Sequence, residues 1–428
     1  MNLPETIRST ESALARNALA QSRITRLAAM LPVHRAFHWL HLHQPQLRLW
    51  QLEMTAIAAP TFHEGARADW FLSHFRSLKL SNVHIDEEGN VVGELGAIQT
   101  PEAGFLLVSA HLDTVFAPGV NTQPTESLDN PVIFGPGICD NGAGLTALLA
   151  LASALSYADI APPMPILFCA NVGEEGEGDL CGMRYLFERG PYAGRIRAAV
   201  ALEGSGTATV VTRALGSRRL RVSISGPGGH SWTDAGRPNP IVLLSRGIAA
   251  LDTLASGIPS DKNYGTTFSP GYISGGTSVN SIPEKASVLL DLRSTDASQL
   301  EHYSNLIAET FRGIVVEANG ENRENAAGPV TWSSKQIGDR PTASLPADSP
   351  ILNSLHAVDR HLGLRTEFRL GSTDANLPMS LGIPAVAIAA GGTGGGIHTL
   401  GEWYDPTGRE IALRRILLLL LDLAQTLA

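Results

Sequence analysis

The sequence predicts an α/β protein: a mixed, mostly parallel sheet with helices on both faces, interrupted by a smaller inserted α+β domain. Two observations support this fold class. Before residue 214 and after residue 330, short apolar runs alternate with helix-like segments, as in strand–helix–strand units. Between those positions, strand-like segments alternate polar and apolar residues, which is typical of a sheet covered on one side.

We expect a helical N-terminal extension over residues 1–45, a discontinuous first domain over residues 46–213 and 331–428, and an inserted domain over residues 214–330. The extension carries a histidine-rich patch whose spacing could line one helical face, at His34, His38, His41 and His43. Because no carboxylates accompany these histidines, a packing or solvent-facing helix is a better interpretation than a metal site.

The first domain is predicted from its alternating segments. Leu47–Leu80 is helical in pattern and is broken by a turn at Pro60. Gly144–Leu155 is a further predicted helix. The predicted strands of this domain are Asn82–Ile85, Asn90–Glu94, Phe105–Ala110, Pro165–Val172, Ala198–Leu202 and Pro384–Ala390. This alternation favours a largely parallel sheet.

The inserted domain is predicted to have a βαββαβ-like order. Its predicted elements are the strand Arg218–Ser225, the helix Pro240–Leu254, the strands Phe268–Ile273 and Ala286–Leu292, and the helix Ala297–Phe311. Such an order gives a sheet with helices on one face. A polar stretch containing prolines follows, and the α/β pattern resumes at Ile351–Leu362 and in an apolar C-terminal helix.

Composition and charge exclude several functional classes. Of the 428 residues, 43% are hydrophobic and 17% charged, which fits a globular enzyme. The net charge of −9, with no long basic run, argues against nucleic acid and anionic membranes as partners. The three cysteines form no C-x-x-C pair, and neither a signal peptide nor a membrane span is recognisable. A cytoplasmic protein is therefore expected.

Potential metal ligands follow several of the predicted strands. His111 and Asp113 stand two residues apart, a spacing in which the aspartate can hold the second imidazole nitrogen. Glu174 and Glu175 come directly after the Pro165–Val172 run, and Glu203 follows the next strand. Because open α/β sheets build their sites at the carboxyl ends of strands, we expect these side chains to meet.

Two glycine-rich segments add one candidate each. Asp140 precedes a predicted helix, where the alternative is an ordinary acidic residue at a helix N-terminus. His398 follows a glycine-rich turn that lacks the Lys-Ser/Thr continuation of a phosphate-binding loop. Two histidines and three or four carboxylates exceed the needs of one zinc. They fit two metal ions about 3.5–4 Å apart that share a carboxylate and a water, with one acid left as base.

The sequence also resembles a known family. The motifs H-x-D-T, D-N-G-A-G, G-E-E-G, A-L-E-G, G-G-H-S and G-x-H-T occur in the order of the co-catalytic zinc exopeptidases and deacylases. That family includes peptidase T, glutamate carboxypeptidase, aminoacylase and succinyl-diaminopimelate desuccinylase, and the resemblance covers about residues 50–425. It implies two Zn²⁺ per subunit, with Co²⁺ or Mn²⁺ as potential substitutes, and hydrolysis of an amide bond.

The resemblance assigns the metal ligands. One zinc is expected to be held by His111, Asp140 and Glu203, and the other by Asp140, Glu175 and His398, so that Asp140 bridges the two.

Further roles follow from the same resemblance. Glu174 is expected to be the general base that activates a metal-bridging water, and Asp113 the residue that orients the metal-binding imidazole before it. The peptide between Asp140 and Asn141 is expected to be cis.

By the same resemblance, the inserted domain is the lid or dimerisation domain of a homodimer. His230, in G-G-H-S, would reach across the dimer to polarise the scissile carbonyl. Asn280 and Arg293 resemble substrate-contacting residues of the lid. Their alternatives are a turn asparagine and an exposed strand-end arginine.

The expected activity is that of an exopeptidase of the aminopeptidase or tripeptidase type, acting on small peptides. The alternative is an N-acyl-amino-acid deacylase or a carboxypeptidase, because Glu203 stands where peptidase T and glutamate carboxypeptidase carry aspartate and where aminoacylase and the desuccinylase carry glutamate. A non-catalytic peptide-binding homologue is less favoured, since all expected ligands and the base are present.

Overall fold

The computed structural model describes residues 5–96, 104–255, 265–321 and 328–428. The helices are α1 Glu5–Ala28, α2 Leu31–Leu42, α3 Gln44–Ala56, α4 Gly65–Arg76, α5 Gly142–Tyr157, α6 Cys181–Arg184, α7 Pro240–Ala255, α8 Ala297–Glu321, α9 Pro350–Leu362, α10 Asn376–Ser380 and α11 Arg409–Thr426. The strands are β1 Ser81–Ile85, β2 Val91–Leu95, β3 Phe105–His111, β4 Thr125–Glu126, β5 Ile133–Phe134, β6 Ile166–Asn171, β7 Ile196–Leu202, β8 Thr209–Ala214, β9 Gly216–Ser225, β10 Gly229–His230, β11 Thr267–Gly275, β12 Ser281–Ile282, β13 Lys285–Ser294, β14 Thr331–Arg340, β15 Ala343–Ser344, β16 Glu367–Gly371, β17 Ala385–Ile388, β18 Thr393–Gly395 and β19 Trp403–Asp405.

The chain forms two compact units, Met1–Arg213 with Ser344–Ala428, and Ala214–Ala343. The first boundary lies at the expected residue, but the second lies at Ser344 rather than at residue 331. The reason is that residues 331–340 form β14, which pairs with β9 in the sheet of the second unit. This strand lies at an edge of its sheet and is largely exposed. Its sequence is therefore polar like that of a loop, and the sequence pattern did not identify it as a strand.

The N-terminal helices belong to the first unit and are not a separate extension. Residues of α1 and α2 such as Ile24 and Leu40 are fully buried in its core. The histidine-rich patch is explained in part by packing, since His43 stacks on Trp39 with ring centroids 4.2 Å apart. His41 Nδ1 lies 2.9 Å from a carboxylate oxygen of Glu410. None of the metal-ligand groups found among the described residues includes this patch.

The large sheet of the first unit confirms the predicted mixed α/β fold. Its strand order is β1-β2-β6-β3-β7-β17-β8-β15, with β16 paired to β8. The four central strands, β6, β3, β7 and β17, are parallel, and antiparallel strands flank them. Every residue of β3 and of β6 is buried. Both faces of the central sheet are therefore covered.

Helix α5 explains why the N-terminal helices pack onto this unit. Its sequence is apolar on every side, and 15 of its 16 residues are buried. A helix that is apolar all round must be covered on all sides. It packs against β3, β6 and β7 of the sheet and also against α2 and α3. The N-terminal helices therefore complete the core around the helix that follows Asp140.

The second unit has the predicted βαββαβ order in β9, α7, β11, β13, α8 and β14. Its four main strands form an antiparallel sheet in the order β11-β13-β9-β14. Burial alternates along β13, and α7 and α8 pack against this sheet around a core that includes Val222, Val288 and Phe311. The sheet is thus covered on one face, as its alternating sequence predicts.

Within the described ranges, no helix combines the length and the apolar character that crossing a bilayer requires.

Candidate metal centre

The candidate ligands meet at the carboxyl ends of three neighbouring strands. Strand β3 lies between β6 and β7 and runs parallel to both. His111 is the last residue of β3, and Glu203 directly follows β7. Glu174 and Glu175 lie in the loop after β6. The parallel arrangement therefore brings these side chains to one edge of the sheet.

Asp140 lies between two histidines and contacts each through a different oxygen. His111 Nε2 lies 3.2 Å from Asp140 Oδ1 and 3.4 Å from Glu203 Oε1. His398 Nε2 lies 3.0 Å from Asp140 Oδ2 and 3.1 Å from Glu175 Oε1. Two potential metal-binding groups, each with one histidine and two carboxylates, thus share one aspartate.

The spacing and chemistry of these atoms fit divalent cations. Two ligand atoms bound about 2.0–2.2 Å from one tetrahedral zinc lie about 3.3–3.6 Å apart. The nitrogen–oxygen separations here are 3.0–3.4 Å. Asp140 Oδ1 is buried, and no described residue donates a well-aligned hydrogen bond to it. A buried carboxylate oxygen in this condition needs a cation or a hydrogen-bond donor.

The crowded charges shift the pKa values of the cluster. Burial alone would raise the pKa of Asp140, but contacts with both imidazoles outweigh it and hold the pKa well below its usual range. Burial raises the pKa of Glu203 to about 7. Contacts with Asp140 and Glu175 raise the pKa of His398 to about 10. Burial would lower the pKa of His111, yet the neighbouring carboxylates raise it well above normal. Protonated imidazoles therefore balance the acids when no cation is bound.

Asp113 binds both His111 and the loop that carries the paired glutamates. His111 Nδ1 lies 3.1 Å from the carbonyl oxygen of Asp113 and 3.4 Å from its Oδ1. Oδ1 accepts the main-chain N–H of Glu174 at 3.0 Å, and Oδ2 accepts that of Glu175 at 2.8 Å. Thr61 Oγ1 also donates to Oδ2 at 3.0 Å. One buried side chain thus fixes a histidine and both glutamates.

The segment after Asp140 makes a sharp turn into α5. The Asp140–Asn141 peptide is cis, as the resemblance implies. Asn141 caps the helix, because its Oδ1 accepts the N–H of Gly144 at 3.0 Å. A Cβ at Gly144 would lie 2.1 Å from that Oδ1 and 2.5 Å from the carbonyl oxygen of Leu202. The glycine at position 144 of the D-N-G-A-G motif is therefore explained by the close approach of the start of α5 to the end of β7.

Sequence reasoning missed three buried acids around this centre: Glu64, Asp374 and Glu402. Glu64 Oε1 accepts the N–H of Gly173 at 3.2 Å, and Asp374 Oδ2 accepts a hydrogen bond from Asn171 Nδ2 at 2.8 Å. Glu402 accepts hydrogen bonds from three main-chain amides of the Asp140 loop. In the sequence, each of these residues is a single acid in a polar or glycine-containing stretch. Exposed loops have the same composition, so no sequence pattern distinguished these buried acids from ordinary loop acids.

The remaining candidates lie in the second unit. His230 pairs with Ser281 between β10 and β12, and the carbonyl oxygen of Asn280 accepts the N–H of Ser231 at 3.0 Å. His230 and Asn280 therefore share one loop region. Arg293 lies eight residues beyond the start of β13, about 26 Å along that strand.

Arg293 is also engaged locally. Its Nε lies 2.7 Å from Asp291 Oδ2, and 38% of its side chain is exposed. This contact holds Arg293 near the end of its strand, and its role as a substrate contact stays a prediction.

Comparison with known proteins places these features in a family. The model of "Peptidase family M20/M25/M40" matches residues 107–422, more than half of the 428-residue chain. This range includes most of β3, with its last residue His111, and also the Asp140 loop, the paired glutamates and His398. No curated protein matches the chain in sequence.

Solved structures share the fold at low sequence identity. A tripeptidase from Staphylococcus aureus subsp. aureus Mu50 is 21% identical, with a TM-score of 0.67 over 89% of this chain and 98% of its own. The di-peptidase Dug1p from Saccharomyces cerevisiae is 13% identical, with a TM-score of 0.70 over 92% and 98%. A dinuclear metal binding peptidase from Bacillus subtilis is 15% identical, with a TM-score of 0.64 over 89% and 98%.

We predict that zinc binding to the metal-free protein at pH 7 releases about two to three protons, because both imidazoles and the partly protonated Glu203 carboxyl must lose a proton to become ligands. The neighbouring carboxylates raise the pKa of His111 well above its usual value and that of His398 to about 10. Raising the pH toward 10 should therefore tighten binding and reduce the number of protons released. Calorimetric titrations in buffers of different protonation enthalpy measure this number. Equal heats in all buffers at pH 7 would contradict the prediction.

Proposed function

Since the chain belongs to peptidase family M20/M25/M40, we propose that it is a metal-dependent exopeptidase that hydrolyses amide bonds in small peptides. The arrangement of Asp140 between His111 and His398 carries this proposal, because each of its oxygens serves a separate ligand group. Tripeptidase and dipeptidase structures of the same fold support peptides as the substrate class.

The proposed cofactor is a pair of divalent cations, two Zn²⁺ per subunit, with Co²⁺ or Mn²⁺ as substitutes. His111 and Glu203 would hold one cation, Glu175 and His398 the other, and Asp140 both. The dinuclear metal binding peptidase of the same fold supports this proposal. When bound, such ions lower the pKa of a water molecule to about 7 and polarise a carbonyl oxygen.

Glu174 is the proposed general base. It is 5% exposed, and its carboxylate lies in one cluster with His111 and Glu175 but in neither group that contains Asp140. Asp113 fixes its main chain. From this position, Glu174 would take a proton from the attacking water and pass it to the leaving amine. Asp113 would keep His111 in one orientation through its contacts with Nδ1.

His230 is the proposed donor to the substrate carbonyl. Its side chain is exposed, and its Nδ1 accepts the main-chain N–H of Trp232 at 3.1 Å. A neutral imidazole that accepts through Nδ1 carries its proton on Nε2. This tautomer can stabilise negative charge on an oxygen. Asn280, from the same loop region, is the proposed neighbouring substrate contact, and we propose that both residues serve the active site of a partner subunit.

A homodimer through the second unit is proposed from the exposed edge of its sheet. Strand β11 has β13 on one side, and nearly all of its residues are exposed. Tyr272 and Ile273 are 58% and 55% exposed there. An edge with exposed apolar residues is a template for pairing with another strand. A reducing compartment, such as the cytoplasm, is proposed because all three cysteines are free thiols.

The second candidate function is hydrolysis of N-acyl amino acids, which the glutamate at position 203 favours through the resemblance. We predict that the zinc-loaded protein hydrolyses tripeptides with a higher kcat/KM than N-acetyl or N-succinyl amino acids. A panel of these substrates, compared by the release of free amine, measures the preference. The reverse order would replace the exopeptidase by the deacylase, and no hydrolysis of either class would contradict both.

We predict opposite effects for the two adjacent glutamates. Glu174→Gln should retain both metals and lose about 10²–10⁴-fold in kcat, the contribution of a general base. Glu175→Gln should lose metal, because it removes a ligand from the His398 group. Metal content by mass spectrometry and kcat on the best substrate of the panel test both. Glu177→Gln, an exposed acid of the same loop, is the matched control and should change neither.

We predict that Glu174→Gln and His230→Ala subunits complement each other. Each variant alone should be nearly inactive, but a mixed dimer has one site with an intact Glu174 and an intact His230 from the partner. Random reassortment of equal amounts then restores about one quarter of the wild-type activity. Kinetics after subunit exchange and sedimentation of the active species test this. A mixture that stays inactive despite exchange, or an active monomer, would contradict a shared site.

A further inference from the structure

Glu402 is a buried acid whose side chain binds main-chain amides of the Asp140 loop. It has no exposed surface. Its Oε1 accepts the N–H groups of Cys139 and Asp140, both at 2.8 Å, and its Oε2 accepts that of Gly137 at 2.9 Å. Among the residues that the structure describes, no Lys, Arg or His forms an ion pair with it. Main-chain dipoles therefore stabilise its charge.

A second buried side chain holds the same loop through a carbonyl group. Gln51 of α3 is fully buried, and its Nε2 donates to the carbonyl oxygen of Ile138 at 2.7 Å. Its Oε1 accepts a hydrogen bond from Arg409 Nη1 at 3.1 Å. The loop from Gly137 to Asp140 is thus bound through three N–H groups by one side chain and through a C=O group by another.

The Asp140 carboxylate can shift only slightly without losing its contacts with the two imidazoles. Its two oxygens lie 3.2 Å from one imidazole nitrogen and 3.0 Å from another, on His111 and His398. A site of this kind needs its side chains within about 0.5 Å of the productive geometry. Burying a carboxylate away from any cation costs free energy. The fold accepts the cost of burying the Glu402 carboxylate if that carboxylate holds Asp140 in its position.

We propose that Glu402 is a positioning residue for the metal centre. By fixing the main chain from Gly137 to Asp140, it holds the Asp140 carboxylate between His111 and His398 and so sets the affinity for divalent cations. The inference rests on the proposed metal-dependent function, and Glu402 acts on Asp140 through the main-chain N–H of that residue.

Two substitutions separate position from charge. Glu402→Asp keeps the charge but is one methylene shorter, so it cannot reach all three amides. Glu402→Gln keeps the length, but its NH₂ group faces a main-chain N–H group, and two donors cannot form a hydrogen bond. We predict that both bind Zn²⁺ about 10–100-fold more weakly than the wild type, the usual effect of removing a partner that supports a ligand. The measurement is calorimetric titration of the metal-free, full-length protein, with its unfolding midpoint recorded in parallel.

The matched control is Glu94→Gln. Glu94 is also buried, and it accepts hydrogen bonds from Asn82 and Tyr192 in the first unit. This variant should lose stability and keep the wild-type zinc affinity. If the Glu402 variants also lose only stability, Glu402 is structural and the inference is overturned.

Two further outcomes would also overturn the inference. If Glu402→Asp retains wild-type affinity and only Glu402→Gln loses it, charge and not position is responsible. If Glu402→Gln fails to fold, Glu402→Asp alone decides, because it keeps the charge and must weaken binding. If Glu402→Asp fails to fold, unchanged affinity in Glu402→Gln still overturns the inference. A wild-type protein that binds no divalent cation would overturn the proposed function itself, which distinguishes the two failures.

Discussion

Hydrogen bonds from main-chain amides to buried carboxylates hold the loops on which the candidate centre depends. Asp113 accepts the amides of Glu174 and Glu175, and Glu402 accepts amides from Gly137 to Asp140. A carboxylate has two oxygens that can each accept more than one such bond, and bonds to a charged acceptor are stronger than neutral ones. One side chain can therefore fix several residues of an irregular loop. Hydrogen bonds that involve no cation therefore hold the backbone beneath the ligands.

The same arrangement concentrates negative charge at one edge of the sheet. Asp140, Glu175 and Glu203 share a small volume with two imidazoles. Contacts with Asp140 and Glu175 raise the pKa of His398 to about 10, and burial raises that of Glu203 to about 7. A raised pKa means that these groups hold their protons more tightly, so a cation that binds them must displace those protons. Metal binding and proton release are therefore one equilibrium.

The sequence predicted the parts of this site that follow from strand order. His111, Glu203 and the paired glutamates stand after successive strands, and parallel connections bring such strand ends together. It did not reveal Glu402, because a carboxylate that accepts hydrogen bonds from amides more than 260 residues away in the chain leaves no local pattern. It also missed β14, because an exposed edge strand lacks the apolar alternation that identifies strands.

The chain enters the second unit and leaves it at two points that lie close together. Thr342 Oγ1 donates to the carbonyl oxygen of Ala214 at 2.8 Å, and the N–H of Leu345 donates to the carbonyl oxygen of Thr212 at 2.9 Å. A turn of about 2–5 residues would span such a gap. The second unit is thus an insertion whose two ends adjoin β8 and β15 at one edge of the large sheet. The strands that carry His111 and Glu203, β3 and β7, lie in the centre of that sheet, away from this edge.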